Sequence, residues 1–219
     1  MDYVKNPKAI EDKSMELIYP YVKDLNLTDD EIRVYSRTIH ASGDVDYANL
    51  VRTSPNAVQK GIEALQNGAD IFTDVEMVRT GISKPALKIH GNEVHCLIKD
   101  EKVAAMAKEL GVTRSIAAMR TFGKQLDGQV VAIGNAPTAL YEVLRLALEE
   151  NIKPALIVGI PVGFVGAAES KDYLMEVSPV PYITVKDNKG GSPIAASVIN
   201  ALLYTGVKRD DMLFVQGKK

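Results

Sequence analysis

The chain has 219 residues, 46% hydrophobic and 25% charged, which suits one domain with a sizeable core and is too apolar for a disordered chain. Its 26 Lys and Arg against 28 Asp and Glu leave a net charge of -2, so nothing in the balance favours nucleic acid or an anionic membrane, and an anionic ligand must be met locally. The single cysteine, Cys96, excludes an intrachain disulfide framework and a Cys-rich zinc site, points to a reducing compartment, and reads as a buried, inert thiol.

The first residues, MDYVKNPKAIEDKS, carry no apolar signal core, and no run approaches the ~18 apolar residues of a membrane span. A cytoplasmic protein is expected. Residues 1–67 read as wholly helical, in the segments NPKAIEDKSMELIYPYV, TDDEIRVYSRTIH, DVDYANLV and SPNAVQKGIEALQNG. Asn6 before Pro7 and Ser54 before Pro55 each place a capping side chain ahead of a proline, and Gly68 follows as a stop.

From residue 68 the pattern changes to short apolar runs, each followed by a loop and then, in most cases, a helical period. The candidate strands are 69–75, 93–98, 129–134, 154–160 and 180–186, rich in Val and Ile and not alternating, as strands buried on both faces should be. Helical patterns lie at about 101–110, 114–126, 137–150, 167–176 and 193–205, while the first crossover, through SKP at 83–85, is the weakest. The expectation is one α/β domain: a three-layer α/β/α, flavodoxin-like core over 68–219, with a five-stranded parallel sheet in the order 2-1-3-4-5 and a helical extension over 1–67.

Ligands of open parallel sheets bind outside the carboxyl ends of the strands. There the chain reads TDVEMVRTGI with Asp74 and Arg79, then GNAPTAL, VGFVGAAESK and DNKGGSPIAAS. Three of these are glycine-bearing turns that lead into a helix and can offer backbone N–H groups to carboxylates or phosphates. None has the spacing of a nucleotide-binding loop. In GVTRSIAAMR, Gly111 is a stop, Thr113 a cap, and Arg114 sits in the first helical turn, against the helix dipole, where it could clamp a carboxylate. His40 ends the pattern EIRVYSRTIH just before Gly43; from spacing alone it either caps a helix or moves a proton. His90 and His95 have no third ligand nearby in sequence, so no metal site is expected.

Six segments, RTIHASGDVDYA, TDVEMVRTGI, GVTRSIAAMR, AIGNAPTALYEVL, PVGFVGAAESK and KGGSPIAASVINALL, together resemble the precorrin-8X (cobalt-precorrin-8) methylmutase family from about Asn6 to Tyr204. That family commonly carries an additional arginine near the KGGS turn, where this chain reads KDNKGGS. The resemblance implies an isomerase of cobalamin biosynthesis that moves a methyl group from C-11 to C-12 of a polycarboxylate corrinoid, with no cofactor and no catalytic metal. It implies that His40 is the general acid. It further implies substrate contacts from Ser14, Arg37, Asp74, Arg114, Ser115, Gly134, Asn135, Thr138, Gly163, Lys171, Lys189, Gly190, Gly191 and Ser192, and a homodimer. Met77, Ile116, Met119 and Phe164 are candidates for an apolar floor under the macrocycle, or for ordinary core. Two rival readings remain at this point: a corrinoid carrier in which His40 is only structural, and a receiver-like module in which Asp74 accepts a phosphoryl group.

Overall fold

The computed structural model describes residues 4–207, and its elements start where side chains satisfy the free N–H groups of helix ends. Asn6 accepts from Ala9 N–H at 3.0 Å and opens α1 (Pro7–Val22). Thr28 and Glu31 cap one another at the start of α2 (Asp29–Ser42), Thr28 N–H to Glu31 Oε2 at 2.9 Å and Glu31 N–H to Thr28 Oγ1 at 3.3 Å. Gly43, at φ 66°, closes α2 with its N–H on Ile39 C=O at 2.9 Å. The helix bearing His40 is thus pinned at both ends.

Ser54 departs from expectation. Its Oγ accepts from Tyr182 N–H at 2.9 Å, and α4 (Ala57–Gln66) starts after Asn56 with no side-chain cap. The serine serves the sheet, a bond across 128 positions of sequence that no local spacing reveals. Between α3 (Tyr47–Leu50) and α4 lies β1 (Val51–Thr53), so residues 1–67 are not wholly helical. Only four residues of DVDYANLV form the helix, and three residues of strand are too few to show a period.

The remaining strands are β2 (Ile71–Thr73), β3 (Val94–Cys96), β4 (Val130–Ile133), β5 (Leu156–Gly159) and β6 (Tyr182–Val185). The sheet has six strands in the order β1-β6-β5-β4-β2-β3: β2 to β6 lie in the order expected for the five strands, and the correction is a sixth strand, β1, added at the β6 edge. It is mixed, because β1 lies antiparallel on β6, with Val51 opposite Val185, while the other pairs are parallel. The helices after β2 are α5 (Glu76–Gly81) and α6 (Lys84–His90), followed beyond β3 by α7 (Glu101–Leu110) and α8 (Arg114–Phe122) with a 3-10 turn at Gly123–Leu126. Then come α9 (Pro137–Glu149), α10 (Ala167–Val177) and α11 (Ser192–Gly206).

Alternate residues of the buried strands divide the core. Val130, Ala132, Leu156 and Val158 pack with apolar residues of α1, α2, α4 and α11 on one face; Val131, Ile133 and Ile157 pack with those of α7 to α10 on the other. The result is a three-layer α/β/α fold. The N-terminal helices are no extension to it, since α2 and α4 pack on α11 and form the layer with it. Cys96 is half-buried at the edge strand, not buried, and burial pushes its thiol pKa up. No helix among the described residues is long and apolar enough to cross a membrane.

Candidate active site

The parallel strands end together along one edge of the sheet. Because β1 runs the other way, its first residue lies beside the last of β6, and Lys186 N–H bonds Leu50 C=O at 2.9 Å. The antiparallel strand therefore delivers the α2–α3 loop, and with it the end of the His40 helix, to the edge where the strands carry their carboxyl ends.

At the β4–α9 turn the expected free donors are not free. Asp74, just past β2, is 0% exposed, and its carboxylate accepts from Gly134 N–H at 2.9 Å, Asn135 N–H at 2.9 Å and Ala136 N–H at 2.7 Å. Burial pushes the Asp74 carboxyl up, against the pull of those N–H groups. Asp74 is thus a strut beneath the turn and not a substrate contact. A buried carboxylate with both oxygens occupied also lacks the accessibility that the receiver-like reading requires. Gly134 is packed in turn: a Cβ there would lie 2.5 Å from Val78 Cγ2 and 2.8 Å from Ser192 Cα.

At the β6–α11 turn the arrangement is reversed. Lys171, from α10, is 0% exposed, and its Nζ donates to Lys189 C=O at 2.6 Å. It cannot meet a ligand from there, which corrects its expected role. Burial lowers its pKa to about 8. Lys189 is half-buried and points the other way: its Nζ pairs with Asp44, stands 3.6 Å from Asp46 Oδ2 and lies 5.8 Å from the centre of the Tyr47 ring. Gly190 and Gly191 have φ 149° and 114°, and Gly191 N–H bonds Ile160 C=O at 3.0 Å. Gly163, at φ 145°, donates to Asn188 C=O at 3.2 Å, so the β5–α10 and β6–α11 loops are bound together. Ser192 opens α11 and is buried.

His40 is exposed in the last turn of α2, four positions before the Asp44 that holds Lys189. One turn earlier on that helix, Arg37 pairs with Glu11 of α1, and near it in sequence Ser14, half-buried, donates to Ile10 C=O at 2.8 Å. Arg114 is exposed at the first position of α8, where Thr113 caps the helix through Ile116 N–H at 3.2 Å; Ser115 beside it is buried. Thr113 Oγ1 meets Thr138 Oγ1 at 3.0 Å, which ties the start of α8 to the start of α9. Asn135 is exposed on the intervening turn.

Of the apolar candidates, Met119 is fully buried core, Ile116 is half-buried, and Met77 and Phe164 are exposed, Phe164 at 92%. Sequence reasoning missed Asp44, Asp46 and Tyr47, although Asp44 and Asp46 sit in the quoted ASGDVDYA. The available signal was a pair of acids following a helix stop in a chain whose anion-facing turn carries a lysine.

Residues 9–205 match the family model described as precorrin-8X methylmutase. Over 211 residues the chain is 40% identical to the cobalt-precorrin-8 methylmutase of Leptospira interrogans, with 93% of this chain and 96% of that one covered. It is 42% identical over 203 residues to the precorrin-8X methylmutase of Pseudomonas aeruginosa, with 92% and 97% covered. Among solved structures, the precorrin-8x methyl mutase of Thermus thermophilus superposes with a TM-score of 0.83 at 35% identity, covering 92% of this chain and 98% of that one.

Proposed function

Because the chain belongs to the precorrin-8X methylmutase family, isomerases that migrate a methyl group within one molecule in cobalamin biosynthesis, we propose that it moves the methyl group of precorrin-8X or its cobalt form from C-11 to C-12, with His40 as general acid. The products are hydrogenobyrinic acid and cobyrinic acid, respectively.

In this reading one carbon–carbon bond breaks at C-11 and one forms at C-12, and the formula does not change. The protein contributes a proton and a shape. His40 lends its proton to the macrocycle, the protonated ring accepts the migrating methyl, and the proton returns to the imidazole. An imidazole suits this exchange because its ordinary pKa of ~6.5 lies near neutrality. The observation that carries the proposal is the placement of an exposed His40 at the end of a doubly capped helix whose following loop is ion-paired to the β6–α11 turn.

Arg114 and Lys189 are the cations we assign to the peripheral carboxylates, with Arg37, Ser14, Ser115, Asn135, Thr138, Gly163, Gly190, Gly191 and Ser192 shaping the cradle around them. Lys189 already holds Asp44, so a substrate carboxylate joins or displaces an existing pair. Exposed Phe164 and Met77 and half-buried Ile116 offer apolar surface to a flat macrocycle. We assign the working form as a homodimer, on the support of α1: Met15, Ile18 and Val22 are buried while Ile10, Leu17 and Tyr21 stay exposed. Sedimentation of Leu17→Glu against the unchanged protein tests the dimer.

The activity is tested by the visible spectrum of precorrin-8X, and then of its cobalt form, incubated with the protein and with His40→Ala. Conversion by the protein, with binding but no conversion by the variant, is the expected result. Full turnover by His40→Ala would leave the histidine a structural role only, and unchanged spectra with the unmodified protein would favour a carrier.

A further inference from the structure

Lys171 and Lys189 approach the β6–α11 turn from opposite sides. Lys171 reaches it from beneath, buried, through its 2.6 Å bond to Lys189 C=O. An ammonium in that position is costly unless it is hydrogen-bonded, and a side chain of the same reach without charge would fill the space at less cost. What the charge adds is a fixed carbonyl. The Lys189–Gly190 peptide is planar and trans, so a carbonyl aimed down at Lys171 aims Gly190 N–H the other way. Tyr47 lies on that side, and the Gly190 amide works to lower its phenol pKa, against burial, which raises it. The turn has no slack on its inner side, since a Cβ on Gly190 would lie 2.8 Å from the carbonyl oxygens of both Ile160 and Pro161.

On the outer side, the Lys189 side chain continues the connection. Asp44, its partner, donates its N–H to Ser42 Oγ at 3.1 Å, and Ser42 Oγ donates to Thr38 C=O at 2.9 Å, inside the helix that carries His40. One path of hydrogen bonds and ion pairs thus runs from the far helical layer, through the turn, to the end of α2.

We propose that Lys171 is a positioning residue: its buried ammonium fixes the Lys189 carbonyl and, through the Lys189–Asp44 pair, the end of α2 from which His40 projects. Its bearing on catalysis rests on the role of His40 proposed above, but the coupling is a property of the free protein.

The chain has three histidines, so each Cε1–Hε1 NMR cross-peak can be followed singly. In Lys171→Met the His40 cross-peak moves, and it moves likewise in Lys189→Met and Asp44→Asn. The His95 cross-peak, held on edge strand β3 by Asp70 at 2.9 Å, stays in place. Turnover falls roughly 10- to 100-fold in kcat/KM for Lys171→Met, and the double variant with Asp44→Asn loses no more than the worse single, because both act through Lys189. A His40 cross-peak that does not move in folded Lys171→Met overturns the proposal, and so do losses that multiply in the double variant. Should Lys171→Met fail to fold, unchanged His40 cross-peaks in both Lys189→Met and Asp44→Asn overturn it. If the cross-peaks move as stated but the unmodified protein converts no corrinoid, the coupling stands and the functional reading falls.

Discussion

Two turns at the same edge of the sheet look alike in sequence and are built in opposite ways. Both GNAPT at 134–138 and GGSPI at 190–194 place glycine ahead of a proline-started helix. Beneath the first lies a buried anion, Asp74, which draws three N–H groups inward. Beneath the second lies a buried cation, Lys171, which draws a carbonyl inward and turns the next N–H outward. The sign of the buried charge decides which face of the peptide a ligand meets, and the glycines only make either choice possible. A glycine-proline pattern therefore marks a turn without saying whether it is scaffold or cradle.

The contrast can be broken most forcefully at Asp74. Asp74→Ala strands the N–H groups of Gly134, Asn135 and Ala136, and a loss of about 3 kcal/mol or more is expected in urea unfolding. A loss under about 1 kcal/mol would mean that the anion is not the strut. Next is Gly190→Ala, which meets two carbonyl oxygens at 2.8 Å at a φ of 149° and should cost about 2 kcal/mol by the same measurement. A smaller effect comes from pH. The folded pKa of Lys171, about 8, is below its ordinary 10.5, with burial lowering it against the fields of Asp187 and Asp172. Between those values the unfolded chain binds more protons, so this group's contribution to stability rises with pH. The urea midpoint of the unmodified protein should therefore gain on that of Lys171→Met from pH 8 to 10.5, and a constant difference would place the titration elsewhere. Smallest is Asp44→Asn, a half-buried surface position whose loss should leave the urea midpoint close to where it is while turnover falls. A drop in stability as large as the drop in activity would make that pair structural.

Much of the architecture was legible because its signals are local. Runs such as VVAI and LIVG announce strands buried on both faces, and Asn6, Gly43, Gly111 and Thr113 act as caps where they stand in the sequence. The β1 strand was not legible, because its pairing with β6 is what makes VRT a strand. Asp74 and Lys171 failed for a related reason. Their types suited anion and cation chemistry, but their bonds reach the next turn, 60 to 62 residues away for Asp74 and 18 for Lys171, and burial takes both from the ligand. His40 and Arg114 are exposed, since each stands at a helix end that displays its side chain to solvent.

The antiparallel edge strand has a further consequence, in time. Val51 finds its partner at Val185, and α2 finds its own in α11, which begins at Ser192. A ribosome adding roughly 5–20 residues per second reaches those partners on the order of ten seconds after it has made His40. Until then the first helices can cover only one another and lack the α11 and sheet surfaces that complete their native packing, and pairing at such separation is slow once it becomes possible. How much active enzyme a cell obtains will then depend on how the nascent chain is sheltered during those seconds, a property that the equilibrium stability of the finished protein does not record.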